Sequence, residues 1–194
     1  MSVVASRPPI LRYTRTAMLL HWVVAVLIGF NVILGLVADH VPDGSVRAVI
    51  DLHKSTGITV LGLVILRILW RLSHKPPPMP ATYPPLERFA AHAAHLVFYA
   101  LILLLPISGW MHDSAWKGAA ANPMTLYGLI PWPRIGWIQA LDPARKEELH
   151  TAFFKVHAYA AYVLYALLAL HVLGALKHQF WDREGELQRM LPGR

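Results

Sequence analysis

The chain is predicted to be all-α, a transmembrane bundle of four helices, and three observations carry that expectation. Hydrophobic residues fill 56% of its 194 positions, with a mean hydropathy of +0.43. Soluble domains rarely reach that balance, because a polar shell must cover the core. Four apolar runs, about 17–38, 53–72, 89–110 and 151–180, are each long enough to cross a hydrocarbon layer of roughly 30 Å at about 1.5 Å per residue. No strand-like alternation suggests a barrel, and backbone groups in lipid must bond within their own segment, so the runs must be helical. The length suits one domain over residues 1–194.

The first run, 17–38, is too long for a signal-peptide core and reads as the first membrane helix. A short connection, 39–52, carries the turn formers Pro42, Asp43 and Gly44 and leads to the second run. The next connection, 73–86, holds six prolines and should be stiff and extended. In the third run, Pro106 is expected to kink the helix near its outer end. The longest connection, 111–150, is rich in Trp, Pro and Gly and is expected to lie on the membrane surface as a cap. The fourth run is the longest and should project beyond the bilayer.

Charge sets the expected orientation. The side bearing both termini, the proline-rich connection and Arg67 holds eleven Lys and Arg against four acids; the other side holds seven of each. The positive-inside rule therefore predicts both termini in the cytoplasm. The chain lacks cysteine, which excludes disulfides, thiolate catalysis, iron–sulfur clusters and covalently tethered haem. No nucleic-acid partner is expected; the partners indicated are membrane lipid and redox molecules.

Eleven histidines are many for so apolar a chain, and an ionisable residue inside a membrane helix is costly enough to imply a partner or a function. His21 falls near the inner end of the first run, and His53 and His157 near the outer ends of the second and fourth. His171 follows His157 by fourteen residues, nearly four turns, so the two share a face about 21 Å apart along the axis. His53 thus matches His157 in depth, and His21 matches His171. Two stacked histidine pairs inside a bundle suit two six-coordinate, non-covalent b-type haems, with His21, His53, His157 and His171 as axial ligands to iron. The plainer reading is polar packing at helix ends.

Arg67 lies fourteen residues after His53, on the same face and at the inner depth. A buried arginine needs an anion, and a haem propionate would serve; the alternative is snorkelling to the headgroups. Lys54 and Lys155 sit beside the outer pair in sequence and could act likewise, or be simply solvated. His92 and His95, at the inner start of the third run, could compete as ligands or contact a propionate or quinone. Lys177 and His178, ending the fourth run, are further quinone-site candidates. His40, His74, His112 and His150 are expected to be solvated. Gly29, Gly35, Gly57 and Gly62 leave room for a porphyrin or for close helix packing.

With these residues the chain resembles the bacterial cytochrome b561 family of four-helix dihaem membrane cytochromes. The matching pieces are Leu20-His21-Trp22, Leu52-His53-Lys54-Ser55-Thr56-Gly57, and Leu66-Arg67-Ile68-Leu69-Trp70-Arg71 before the prolines. His92-Ala93-Ala94-His95-Leu96-Val97-Phe98-Tyr99, Leu105-Pro106-Ile107-Ser108-Gly109 and the His157–His171 spacing complete the set. The resemblance implies axial ligation by His21, His53, His157 and His171 in a multi-pass protein of the bacterial inner membrane. It implies either a superoxide oxidase, passing electrons from periplasmic superoxide to ubiquinone, or a haem subunit relaying electrons between a partner oxidoreductase and the quinone pool. A haem-free transporter or assembly factor is the reading from another class.

Overall fold

The computed structural model describes residues 11–80 and 82–192. Arg7 and Arg194, counted above in the charge asymmetry, lie outside them. The main helices are α1 (Arg15–Val37), α2 (Asp43–Ser73) and α3 (Pro85–Ala115). A two-residue antiparallel pair, β1 (Thr125–Leu126) and β2 (Ile130–Pro131), precedes a single turn, α4 (Gly136–Gln139). The last long helix, α5 (Pro143–Leu176), runs on through a π turn (Lys177–Trp181) to a short α6 (Glu186–Arg189).

Four of these helices are long and apolar enough to cross a membrane. Large apolar residues such as Leu19, Val26, Ile33, Leu66, Leu96, Val163 and Leu173 are exposed along their length. A water-soluble surface would not carry such a continuous apolar girdle, whereas lipid solvates it at no cost. In the interior, α1 packs on α2, α2 on α3 and α3 on α5. The core cluster of Val24, Val60, Val64, Leu101, Ile102, Ala160 and Leu164 draws on all four. Leu164 lies midway in sequence between His157 and His171, so this apolar layer separates the two histidine levels.

Two expected boundaries are corrected. The second helix begins at Asp43 rather than near 53, and the fourth at Pro143 rather than near 151. Hydropathy marks where lipid begins, whereas helices end where their caps lie. Asp142 accepts from the Ala144 and Arg145 amides, with Pro143 in the first turn, and Asp43 opens α2 behind Pro42. His53 is therefore ten residues inside its helix and His157 fourteen inside its own. Pro106 lies inside α3 without ending it.

The long connection does more than lie on a surface. Met124, Leu126 and Ile138 are buried, and the β turn docks along α2. There the Tyr127 amide donates to Ser55 Oγ at 2.9 Å, and the Tyr127 and Thr59 hydroxyls are 2.8 Å apart. Thr59 lies six residues deeper than His53, so this turn reaches down beside the outer histidine level.

Candidate cofactor-binding site

The fold brings the four histidines together as two pairs. The rings of His53 (α2) and His157 (α5) are 6.0 Å apart between centres, and those of His21 (α1) and His171 (α5) 6.4 Å. With metal–imidazole bonds of about 2 Å, two imidazoles on opposite sides of one metal centre hold their ring centres roughly 6 Å apart. The pairs are therefore too far apart to touch and correctly spaced to share an axial metal. Among the described residues no group of three or more His, Asp or Glu could hold a bare metal ion.

The outer pair is oriented through its second nitrogens. His53 Nδ1 lies 3.0 Å from the Asn31 carbonyl, and His157 Nδ1 lies 2.9 Å from the Leu105 carbonyl and 3.2 Å from Ser108 Oγ. A histidine donating Nδ1–H to a carbonyl keeps Nε2 free as a ligand and fixes the ring's orientation. Gly35 and Gly109 let the neighbouring helices approach these rings. A Cβ at Gly35 would stand 3.3 Å from His53 Cε1, and one at Gly109 3.2 Å from His157 Cε1. A cleft opens between the pair, lined by residues including Asn31, Gly57, Met124 and Tyr165. Its mostly apolar lining suits an apolar macrocycle. By contrast, a Cβ at Gly29 or Gly62 would meet nothing within 4 Å, so close packing does not account for those glycines.

The inner level is more crowded. His95 lies 6.1 Å from His171, as near as His21, and Phe98 packs edge-on to the same ring at 5.1 Å. His21 Nδ1 is buried without a hydrogen-bond partner. Arg67 turns inward from α2 over the ring of Tyr99, 5.7 Å from its centre, and Arg71 occupies the same distance. His92 does not join this group: it is exposed, with Nδ1 2.7 Å from the Arg88 carbonyl of its own helix.

The remaining candidates divide. Lys54 lines the outer cleft and pairs with Asp51 at 2.7 Å and Asp113 at 3.1 Å. Asp113 also receives Arg134 at 2.8 Å, in a network whose Lys54, Asp113 and Arg134 side chains are only 12, 10 and 8% exposed. Sequence reading missed Asp113 and Arg134, because their partners are distant along the chain. Lys155 is exposed on α5 and does not line the cleft. Lys177 pairs with Asp182 and Glu87, and His178 Nδ1 lies 2.7 Å from Asp182. His178 also stacks on Tyr83 at 4.6 Å. Burial and the hydrogen bond to Glu186 push the Tyr83 phenol above its ordinary range, so it remains a donor.

The expectation that His112 and His150 are solvated is corrected. Their rings stack at 3.8 Å, and each Nδ1 bonds the other's carbonyl, at 2.9 and 3.0 Å, joining α3 to α5. His40 and His74 are exposed as expected.

Comparison with known proteins identifies the family. The model of the prokaryotic cytochrome b561 family matches residues 12–193. The chain is 32% identical over 183 residues to cytochrome b561 homolog 2 of Escherichia coli K12, covering 93% of this chain and 91% of that protein. It is 29% identical over 141 residues to the probable superoxide oxidase CybB of Yersinia pestis, covering 73% of each. It is 33% identical over 132 residues to cytochrome b562 of Cereibacter sphaeroides, covering 61% of this chain and 81% of that one. With four membrane-spanning helices and a match along nearly its whole length, the chain belongs to the prokaryotic cytochrome b561 family of multi-pass bacterial membrane proteins, whose members bind b-type haem and transfer electrons.

Proposed function

We propose that this protein carries electrons across the bacterial inner membrane between two haems b, oxidising periplasmic superoxide and reducing ubiquinone. The observation that supports this reading best is the pair of imidazole pairs, 6.0 and 6.4 Å between ring centres, stacked along α5. His53 and His157 would hold the outer haem and His21 and His171 the inner one; bound there, haem would supply one-electron redox chemistry. The Asn31 and Leu105 carbonyls orient the outer ligands. Arg67 would neutralise a propionate at the inner level, with His95 as a further contact there. Two superoxide anions would each give up one electron, and one ubiquinone would take both with two protons from the cytoplasmic side. His178 and Lys177, both paired with Asp182, would handle charge at that end.

Superoxide is an anion, and Arg47, Lys54 and Arg134 against Asp51 and Asp113 leave one net positive charge beside the outer cleft, a modest attraction. Because Lys54 is already paired with two carboxylates, a second reading keeps its place: a haem subunit relaying electrons between a partner oxidoreductase and quinone. Stopped-flow mixing of the oxidised protein with superoxide, with and without ubiquinone, tests the two. Haem reduction followed by quinol formation is expected. Protein inert to superoxide but reoxidised by quinone would favour the relay, and purified protein without a Soret band would overturn both.

A further inference from the structure

The end of the bundle where α1 starts and α2 ends holds a second cavity, of about 230 Å³. Its walls include the side chains of Arg12, Arg67, Arg71 and Lys75, and among the described residues no carboxylate lines it. Among the described residues none of these four cations has an ion-pair partner; Arg67 and Arg71 lie instead over the ring of Tyr99. Four like charges around one hollow repel one another unless an anion stands between them. The cavity therefore calls for an anion of more than one contact.

Its depth selects which anion. Trp70 lines the cavity, donates its indole N–H to Thr14 Oγ at 2.9 Å and stacks on His74 at 3.8 Å. Thr14 caps the start of α1, and α2 ends at Ser73. An amphipathic indole at two adjoining helix ends marks the headgroup level of the bilayer. At that level the abundant anion is a lipid phosphate, and basic pockets between membrane helices hold such headgroups. Leu11, Tyr13 and the proline segment add apolar wall for the glycerol and first acyl carbons. His21, His95 and His171 do not line the cavity, so it adjoins the inner imidazoles without being their site. Arg67 stands at its deep side; Arg12 and Lys75 are exposed at its mouth. We infer that this cavity binds the phosphate headgroup of an anionic membrane lipid, gripped by Arg12, Arg71 and Lys75.

The inference does not rest on the superoxide reading, and its test reads lipid rather than electron transfer. The full-length protein is purified in detergent with equal phosphatidylglycerol and phosphatidylethanolamine, and bound lipid is counted by native mass spectrometry. Parallel samples contain inorganic phosphate in excess. The wild type is expected to retain phosphatidylglycerol over phosphatidylethanolamine by roughly tenfold or more, unaffected by inorganic phosphate. The R12Q/R71Q/K75Q variant should lose that preference while keeping its helical circular dichroism and its haem content. The charge-conserving R12K/R71K variant should keep it, which separates lost binding from lost folding. Equal retention of the two lipids by the wild type overturns the inference. So does displacement by inorganic phosphate, which would make this a site for a free anion. Loss of the inner haem in the glutamine variant with lipid preference intact would also overturn it, making the cavity a propionate cradle.

Discussion

At the scale of single residues, a held second nitrogen orients the two outer histidines. His53 and His157 each direct Nδ1 to a carbonyl of a neighbouring helix, from Asn31 and Leu105, which leaves both Nε2 atoms for the space between them. His171 has two neighbours at nearly equal range, His21 at 6.4 Å and His95 at 6.1 Å. Replacing either member of a true pair must damage the same haem. His53→Ala and His157→Ala should therefore give one paramagnetic resonance pattern, and His21→Ala and His171→Ala another, each leaving the other haem low-spin. A high-spin signal from His95→Ala, with His21→Ala near wild type, would reassign the inner ligand. On the proposed reading, Arg67 would add a positive charge that favours the reduced state of an inner haem. Arg67→Leu is expected to lower that haem's midpoint on the order of 60 mV, one decade in a one-electron equilibrium, and to spare the outer one. Redox titrations in which both haems are unchanged would mean that Arg67 serves something else.

At the scale of elements, helix approach and buried charge shape the outer site. Gly109 presents no side chain to His157, and a methyl there would come within 3.2 Å of the ring. Gly109→Ala should push the imidazole off its axis and reduce outer-haem occupancy, read from the ratio of Soret absorbance to protein, while the inner haem persists. A fully loaded variant would show that α3 can give way. Asp113 neutralises Lys54 and Arg134 across α2, α3 and the long connection. Asp113→Asn leaves the mostly buried Arg134 without its carboxylate, while Lys54 keeps Asp51, and should cost on the order of 3 kcal/mol. The measure is thermal loss of helical signal in detergent, where a midpoint unmoved from wild type would show that solvent already screens the network.

At the scale of the whole molecule, the positive charge lies on the end bearing the termini. A C-terminal alkaline phosphatase fusion should accordingly be inactive and a fluorescent protein fusion bright, as expected for a cytoplasmic C terminus; periplasmic phosphatase activity would invert the orientation. Much of the architecture was legible in the chain. Uninterrupted apolar length can be satisfied in one way in lipid, so the four spans followed from composition alone. The fourteen-residue step from His157 to His171 put two histidines on one helical face, because helical periodicity is a local property. Hydropathy places the starts of α2 and α5 too far inward, near 53 and 151 rather than at Asp43 and Pro143, because it marks lipid and not the caps. What the chain could not reveal depends on partners far apart in sequence. The Asp113–Arg134–Lys54 network, the His112–His150 stack, the turn at Tyr127 docked along α2, and the approach of His95 to His171 each join segments that no periodicity relates. Four spans and two histidine levels could be read from the chain, because span length and helical phase are set within each segment. Which charges meet and which rings face each other emerges only on packing, because those contacts depend on how the helices rotate and close against one another.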